Sequence, residues 1–213
     1  SSVTVNGKLI TKPAYDISED GTDTVSVVGE AKRYVSRGGI KLEAALSKFE
    51  INVKDKHALD VGSSSGGFTD CLLQNGAQRV FAVDVAYGIL DYKLRIDERV
   101  TVLERTNARN LTAEQLGGTI CDMVTVDVSF ISLKKIYPAI HRILKEGGEV
   151  VTLIKPQFEA GKEKVGKKGV VREASTHKEV LDNFVALADE LEFKILGLTV
   201  SPVKGPEGNI EFL

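Results

Sequence analysis

Hydrophobic positions along this chain fall into two regimes, short strand-and-turn units up to about residue 28 and alternating strand and helix patterns from residue 57 onward. Near the start, Val3-Thr4-Val5 and Lys8-Leu9-Ile10 flank Asn6-Gly7, a pair that supplies the positive φ angles of a tight hairpin turn. Lys12-Pro13 and Asp20-Gly21 mark further turns, and Thr24 to Val28 reads as another short strand. A polar connector over Gly29 to Arg37 leads into Ile40, Leu42, Ala45, Leu46 and Phe49, whose spacing predicts a helix over 39–49.

From His57 the pattern alternates. Strands are predicted at 57–61, 79–85, 100–104, 123–128, 149–154 and 194–201, with a last one at 209–213. Helices are predicted at 68–75, 89–97, 133–144 and 175–191, the third stopped by Gly147-Gly148. Such alternation implies crossover connections and a mostly parallel sheet covered on both faces, an α/β fold of Rossmann-like type with seven strands. The expected division is a small β unit at 1–29, a linker with the first helix at 30–55, and an α/β domain at 56–213.

Composition narrows the function. With 213 residues, 42% hydrophobic and 27% charged, the chain is long enough to bury a real core and is not a disordered or fibrous sequence. No apolar run approaches the roughly 18 residues of a spanning helix, and the opening residues lack the basic and apolar blocks of a secretory signal. Cys71 and Cys121 stand fifty residues apart, without disulfide or zinc-site spacing, and His57, His141 and His177 have no metal-ligand spacing either. A reducing cytoplasm is the expected compartment. The net charge of −2 argues against nonspecific coating of nucleic acid, although cations cluster at Lys32, Arg33, Arg37 and Lys41. A second cluster, Lys162, Lys164, Lys167, Lys168 and Arg172, is interleaved with Gly161, Gly166 and Gly169.

In open parallel sheets the ligand crevice lies outside the carboxyl ends of the strands. After the first of these strands come Asp60, Val61 and then Gly62, Ser63, Ser64, Ser65, Gly66, Gly67 and Phe68, small residues that let backbone amides and a helix N-terminus approach a ligand. Asp84 follows the second strand, placed to accept from ribose hydroxyls. An adenosine-containing cofactor is indicated. The G-x-G-x-x-G dinucleotide fingerprint and the Walker loop are both missing, and Asp60 would repel a pyrophosphate, so the cationic sulfonium of S-adenosylmethionine fits better.

Asp127, Lys155 and Glu211 stand at the ends of later strands, where charges following apolar runs converge on one crevice. A lysine beside carboxylates suits methyl transfer to a sugar hydroxyl, a weak acid that reacts only if its proton is taken or its developing charge is stabilised.

Six strings carry a more specific signal: Val-Ser-Arg-Gly-Gly-Ile-Lys-Leu (35–42), Asp-Val-Gly-Ser-Ser-Ser-Gly-Gly-Phe-Thr (60–69), Leu-Glu-Arg-Thr-Asn-Ala-Arg (103–109), Asp-Val-Ser-Phe-Ile-Ser-Leu (127–133), Lys-Pro-Gln-Phe-Glu (155–159) and Gly-Asn-Ile-Glu (208–211). Together they resemble the TlyA, or hemolysin A, family, which is similar to the FtsJ-type ribose methyltransferases. The resemblance implies a Lys-Asp-Lys-Glu tetrad at Lys41, Asp127, Lys155 and Glu211. It also implies that residues 62–68 line the methionine part of S-adenosylmethionine, that Asp84 with Val85 meets its ribose, and that Asn107 with Ala108 flanks the adenine. The implied substrate is ribosomal RNA within ribosomal subunits, methylated at cytidine 2′-hydroxyls of the small and, in some members, the large subunit. The first thirty residues resemble the C-terminal portion of an S4-type RNA-binding domain, without the two helices that begin it. Two other readings are a noncatalytic ribosome-assembly factor that keeps the fold and a membrane-active hemolysin, the latter disfavoured by the lack of an apolar span.

Overall fold

Alternation within the strands decides the layering. In the computed structural model, which describes residues 2–12, 14–28 and 33–213, the chain divides into two compact units, 1–33 and 34–213. Pro13 and the connector positions from Gly29 to Lys32, including the expected boundary near residue 29, lie outside the described residues.

In the first unit, β1 (Ser2–Val5) pairs antiparallel with β2 (Lys8–Ile10) and with β3 (Val25–Val28), giving the order β2-β1-β3. Asn6 at φ +51° and Gly7 at φ +77° make the hairpin turn that the Asn-Gly pair predicts. The Asn6 side chain ties the turn to the rest of the sheet, donating to Asp23 Oδ1 at 2.6 Å and accepting from the Thr24 amide at 2.8 Å.

The second unit is built on a parallel sheet of order β6-β5-β4-β7-β8, formed by β4 (His57–Val61), β5 (Arg79–Val83), β6 (Val100–Leu103), β7 (Cys121–Val126) and β8 (Leu144–Thr152). Successive side chains point to opposite faces, so each inner strand feeds two cores. Ala58, Val80, Ala82 and Met123 face one side, where they pack with Leu42 and Leu46 of helix α1 (Gly38–Lys48) and with Cys71 and Leu72 of α2 (Gly67–Gln74). Leu59, Val61, Phe81, Val83, Val124 and Val126 face the other, against Tyr137 and Ile140 of α4 (Tyr137–Ile143) and Val180 and Leu187 of α6 (Ala174–Glu190). Two short helices complete the set, α3 (Tyr92–Arg95) and α5 (Pro156–Glu159).

Several elements differ from expectation. The first helix belongs to the second unit and packs on α2, where the sequence places it in a linking stretch. Five strands make the ladder of the main sheet; the two C-terminal segments join it through isolated antiparallel bridges, Ile154 to Phe212 and Phe212 to Val200. Residues 194–199 form no regular strand, with Leu196 and Leu198 exposed at the edge. The helix expected at 89–97 is one turn, because only Leu90 and Leu94 face inward while Ile89 and Ile96 are exposed. The helix expected at 133–144 is a short 3-10 turn at Leu133–Lys135 followed by α4. Gly147-Gly148 does not stop it. Leu144 is already extended, and the glycines lie in an irregularity of β8 whose register skips from Leu144 opposite Cys121 to Glu149 opposite Met123.

Candidate active site

The carboxyl ends of β4, β5, β7 and β8 lie side by side in a parallel sheet, so residues remote in sequence meet there. The Gly62 and Ser63 amides both donate to the Val83 carbonyl, at 2.8 and 3.0 Å, which folds the glycine-rich loop across the end of β5. Gly62 has φ +84°, and a β-carbon there would lie 2.4 Å from the Asp127 carbonyl oxygen; no other residue fits this approach of the β4 and β7 ends. The loop leads to the N-terminus of α2, and α1 is tied to α2 by the Val35 amide donating to Asp70 Oδ2 at 2.8 Å. A cleft of about 330 Å³ opens here, lined by residues 36–38, Lys41, 62–65, Gly67, Phe68, Asp127 and 203–206.

Asp84 is held by two backbone amides, from Ser64 to Oδ2 and from Ala86 to Oδ1, each at 2.8 Å. The Thr106 amide donates to the Asp84 carbonyl and the Arg105 amide to that of Ala86, so 84–86 and 105–107 run together and bring Asn107 and buried Ala108 beside the acid. Val85 is 70% exposed in this stretch.

Asp60 is placed differently from the rest of its loop. It is fully buried beneath the cleft, accepting hydrogen bonds from Thr69 Oγ1 at 2.6 Å and Thr125 Oγ1 at 3.0 Å, so it pins α2 to β7 and does not line the cavity. Burial pushes its carboxyl up to about 7 against those two bonds, and the negative charge of Asp127 adds to the rise.

The four residues of the implied tetrad form two ion pairs. Lys155 Nζ lies 2.5 Å from Asp127 Oδ1 and donates to Ser129 Oγ at 3.0 Å. Lys41 Nζ lies 2.5 Å from Glu211 Oε2, both side chains almost wholly buried. The second pair depends on the C-terminal bridges: Ser201 N donates to the Glu211 carbonyl at 2.8 Å, and Phe212 exchanges backbone bonds with Ile154, the residue before Lys155. One member of each pair, Asp127 and Lys41, lines the cleft, and Lys155 and Glu211 are beside them outside its lining.

Three residues of this neighbourhood were not singled out by sequence reasoning. Phe130, 90% exposed and in left-handed backbone at φ +61°, has its ring centroid 4.8 Å from that of Phe158, the two rings tilted by 53°, and the Phe158 centroid is 5.9 Å from Lys155 Nζ. An aromatic residue three positions past a strand-end acid, outside any amphipathic pattern, was the available signal. Asn209, buried, donates to the Gly169 and Pro206 carbonyls and accepts from the Val171 amide, fastening the glycine and lysine loop to the cleft wall at 203–206. Gln157 donates to Glu211 Oε1 at 3.2 Å. In the lysine-rich loop, Lys164 is paired with Glu179, while Lys162, Lys167 and Lys168 are exposed.

Cys71 and Cys121 are both buried, and no cluster suited to a metal ion occurs among the described residues. No helix among them is long and apolar enough to cross a membrane.

The profile of the FtsJ-like methyltransferases matches residues 34–213. Hemolysin A of Brachyspira hyodysenteriae is 45% identical over 211 residues, 99% of this chain and 87% of that protein. The 16S/23S rRNA (cytidine-2'-O)-methyltransferase TlyA of Mycobacterium tuberculosis is 44% identical, covering 99% of this chain and 78% of its own length. A Streptococcus thermophilus relative of solved structure is 47% identical with a TM-score of 0.85, over 99% of this chain and 76% of that one. Aeropyrum pernix fibrillarin, solved with natively bound S-adenosyl-L-methionine, is 19% identical with a TM-score of 0.51, over 91% of this chain and 89% of that one, and shares the fold.

Proposed function

Because this chain belongs to the FtsJ-like methyltransferase family, we propose that it transfers a methyl group from S-adenosylmethionine to cytidine 2′-hydroxyls of ribosomal RNA, in the 16S molecule and in the 23S molecule as well. The observation that carries the reading is the pairing of Lys155 with Asp127 at the edge of a glycine-lined cleft, with Lys41 and Glu211 paired alongside.

The cleft suits the cofactor by its chemistry. Small side chains at 62–65 and 67 leave room for the methionine tail; Asp84, bonded to the Ser64 amide beside the cleft, offers acceptors to ribose hydroxyls, and the 105–108 segment next to it would meet the adenine. When bound, the cofactor supplies an electrophilic methyl group on sulfur. The protein's own task is the acceptor. Lys155, oriented by Asp127 and Ser129, meets the sugar hydroxyl and stabilises the negative charge that grows on its oxygen as the hydroxyl proton passes to solvent water. Lys41 and Glu211 fix the opposite wall, so that oxygen, methyl carbon and sulfur are held in line. The Phe130 and Phe158 rings form a shelf for a nucleobase that has left its stack. The 1–33 unit, which resembles the C-terminal portion of an S4-type domain, is read as adding RNA contacts.

The test uses purified small and large ribosomal subunits with methyl-labelled S-adenosylmethionine, followed by mapping of blocked 2′-positions. Label at cytidine ribose is expected. Cofactor binding by calorimetry without label on either subunit would overturn the enzyme reading in favour of a noncatalytic assembly role; absence of cofactor binding would reject both.

A further inference from the structure

The carboxylate of Glu211 is gripped from three directions. Lys41 Nζ approaches Oε2 at 2.5 Å, Gln157 Nε2 donates to Oε1 at 3.2 Å, and Gly205 lies so close that a β-carbon there would fall 2.1 Å from Oε1. Lys155 and Gln157 flank one turn of chain: Lys155 is the extended residue just before α5, and Gln157 lies in the helix that Pro156 opens, where the missing N–H costs nothing. Lys155 reaches Asp127 while Gln157 reaches Glu211, so this short stretch touches both ion pairs.

The Gln157 amide carries a cost that its donation explains. Its Oε1 is buried and has no hydrogen-bond partner among the described residues. An unpaired buried acceptor is unfavourable, and a glutamine amide can ordinarily turn over to improve its bonds. Turned over here, Oε1 would face Glu211 Oε1, acceptor against acceptor. The amide thus has a single workable orientation, one that leaves its own carbonyl unsatisfied to keep an N–H on the acid. A residue serving packing alone would be replaced at no loss by an apolar side chain of the same length.

The geometry points to Gln157 as a positioning residue that holds Glu211, and through it Lys41, in register with the Lys155–Asp127 pair. The inference rests on the proposed assignment of these four side chains to the reacting site. Gln157 does not itself meet the substrate; it keeps Lys41 at the cleft wall when the cofactor and the RNA arrive.

The test is Gln157→Met, which keeps length and volume and removes both the donor and the orphan carbonyl. Its melting temperature should stay close to that of the parent, because removing the orphan carbonyl offsets the bond that Glu211 Oε1 loses. The Lys41 ammonium signal in nitrogen-15 spectra, identified by its loss in Lys41→Arg, should move in Gln157→Met, and an unmoved signal overturns the inference whether or not the protein methylates RNA. In single-turnover assays with ribosomal subunits the methyl-transfer rate should fall roughly ten- to a hundredfold, the range of a hydrogen bond to a charged group, with cofactor affinity and KM for the subunit unchanged. In a Glu211→Ala background, which removes the acceptor, the same substitution should cost nothing further. Equal losses in both backgrounds, or a raised KM with an intact rate, would assign Gln157 to packing or RNA binding. A parent protein inactive on both subunits would refute the methyltransferase reading, while the spectroscopic result would still decide the role of Gln157.

Discussion

Lys155 Nζ stands 2.5 Å from Asp127 Oδ1, joining the segment that follows β8 to the end of β7 across 28 residues of sequence. The amine is paired with the acid by charge and donates one hydrogen to Ser129 Oγ. What remains is available to a sugar oxygen. Lys155→Ala should lower methyl transfer by at least about a hundredfold, the usual scale for loss of an acid-base group, and leave cofactor affinity intact because Lys155 does not line the cleft. Calorimetry with S-adenosylmethionine beside a turnover assay checks both halves; a variant that loses cofactor affinity would contradict the role.

Phe130 holds an exposed ring in left-handed backbone, and a solvent-facing aromatic gains nothing for folding. Phe130→Ala should therefore leave the melting temperature unchanged or raise it. Stacking of a base on an aromatic ring is worth about 1–3 kcal/mol, so KM for the ribosomal subunit should rise roughly ten- to a hundredfold. Filter binding and steady-state kinetics would show it, and an unchanged KM would remove the aromatic shelf from the substrate path.

The sequence made the parallel sheet legible because its inner strands are buried on both faces and read as unbroken apolar runs such as Val80-Phe81-Ala82-Val83. Strand-end acids and a strand-end lysine were legible for the same reason, each being a charge that abruptly ends such a run. Lys41 was not. It lies on a helix among ordinary surface charges and needed the family resemblance; its burial depends on Glu211, 170 residues away. The last two strands were overread, since their pairing is set by a few bonds of Phe212 and Leu213 to residues on either side rather than by local pattern. Asn209 and Gln157 left no pattern at all. A polar side chain that satisfies backbone groups of another loop has no periodicity, and only the folded chain shows what it holds.

Asp84 receives the Ser64 and Ala86 amides and lies beside the 105–107 segment, so its loss removes both a ribose acceptor and the anchor of the glycine-rich loop. Asp84→Ala should weaken cofactor binding first, by about 2–3 kcal/mol for the loss of a charged acceptor. Titration calorimetry gives this directly. Unchanged affinity would mean that the ribose lies elsewhere.

Asp60 makes a pH-dependent prediction whose sign follows from its burial. An aspartate in the unfolded chain titrates near 3.9, whereas desolvation holds the buried carboxyl at about 7 despite the hydrogen bonds from Thr69 and Thr125. Between these values the folded protein keeps a proton that the unfolded chain has released. The contribution of Asp60 to stability is therefore fully present below pH ~4 and is lost as the pH rises through about 7. Asp60→Asn keeps the shape, leaves a carbonyl to accept from one threonine and an amide to donate to the other, and carries no charge at any pH. Its stability should match the parent near pH 4 and exceed it above pH 8, by about 4 kcal/mol for the whole shift. Urea unfolding at about pH 3.5 and about pH 8.5, two conditions flanking the window, distinguishes this from a simple packing effect. A variant weaker at both, with an unchanged slope between them, would show that the carboxylate is ionised and welcome in its buried site.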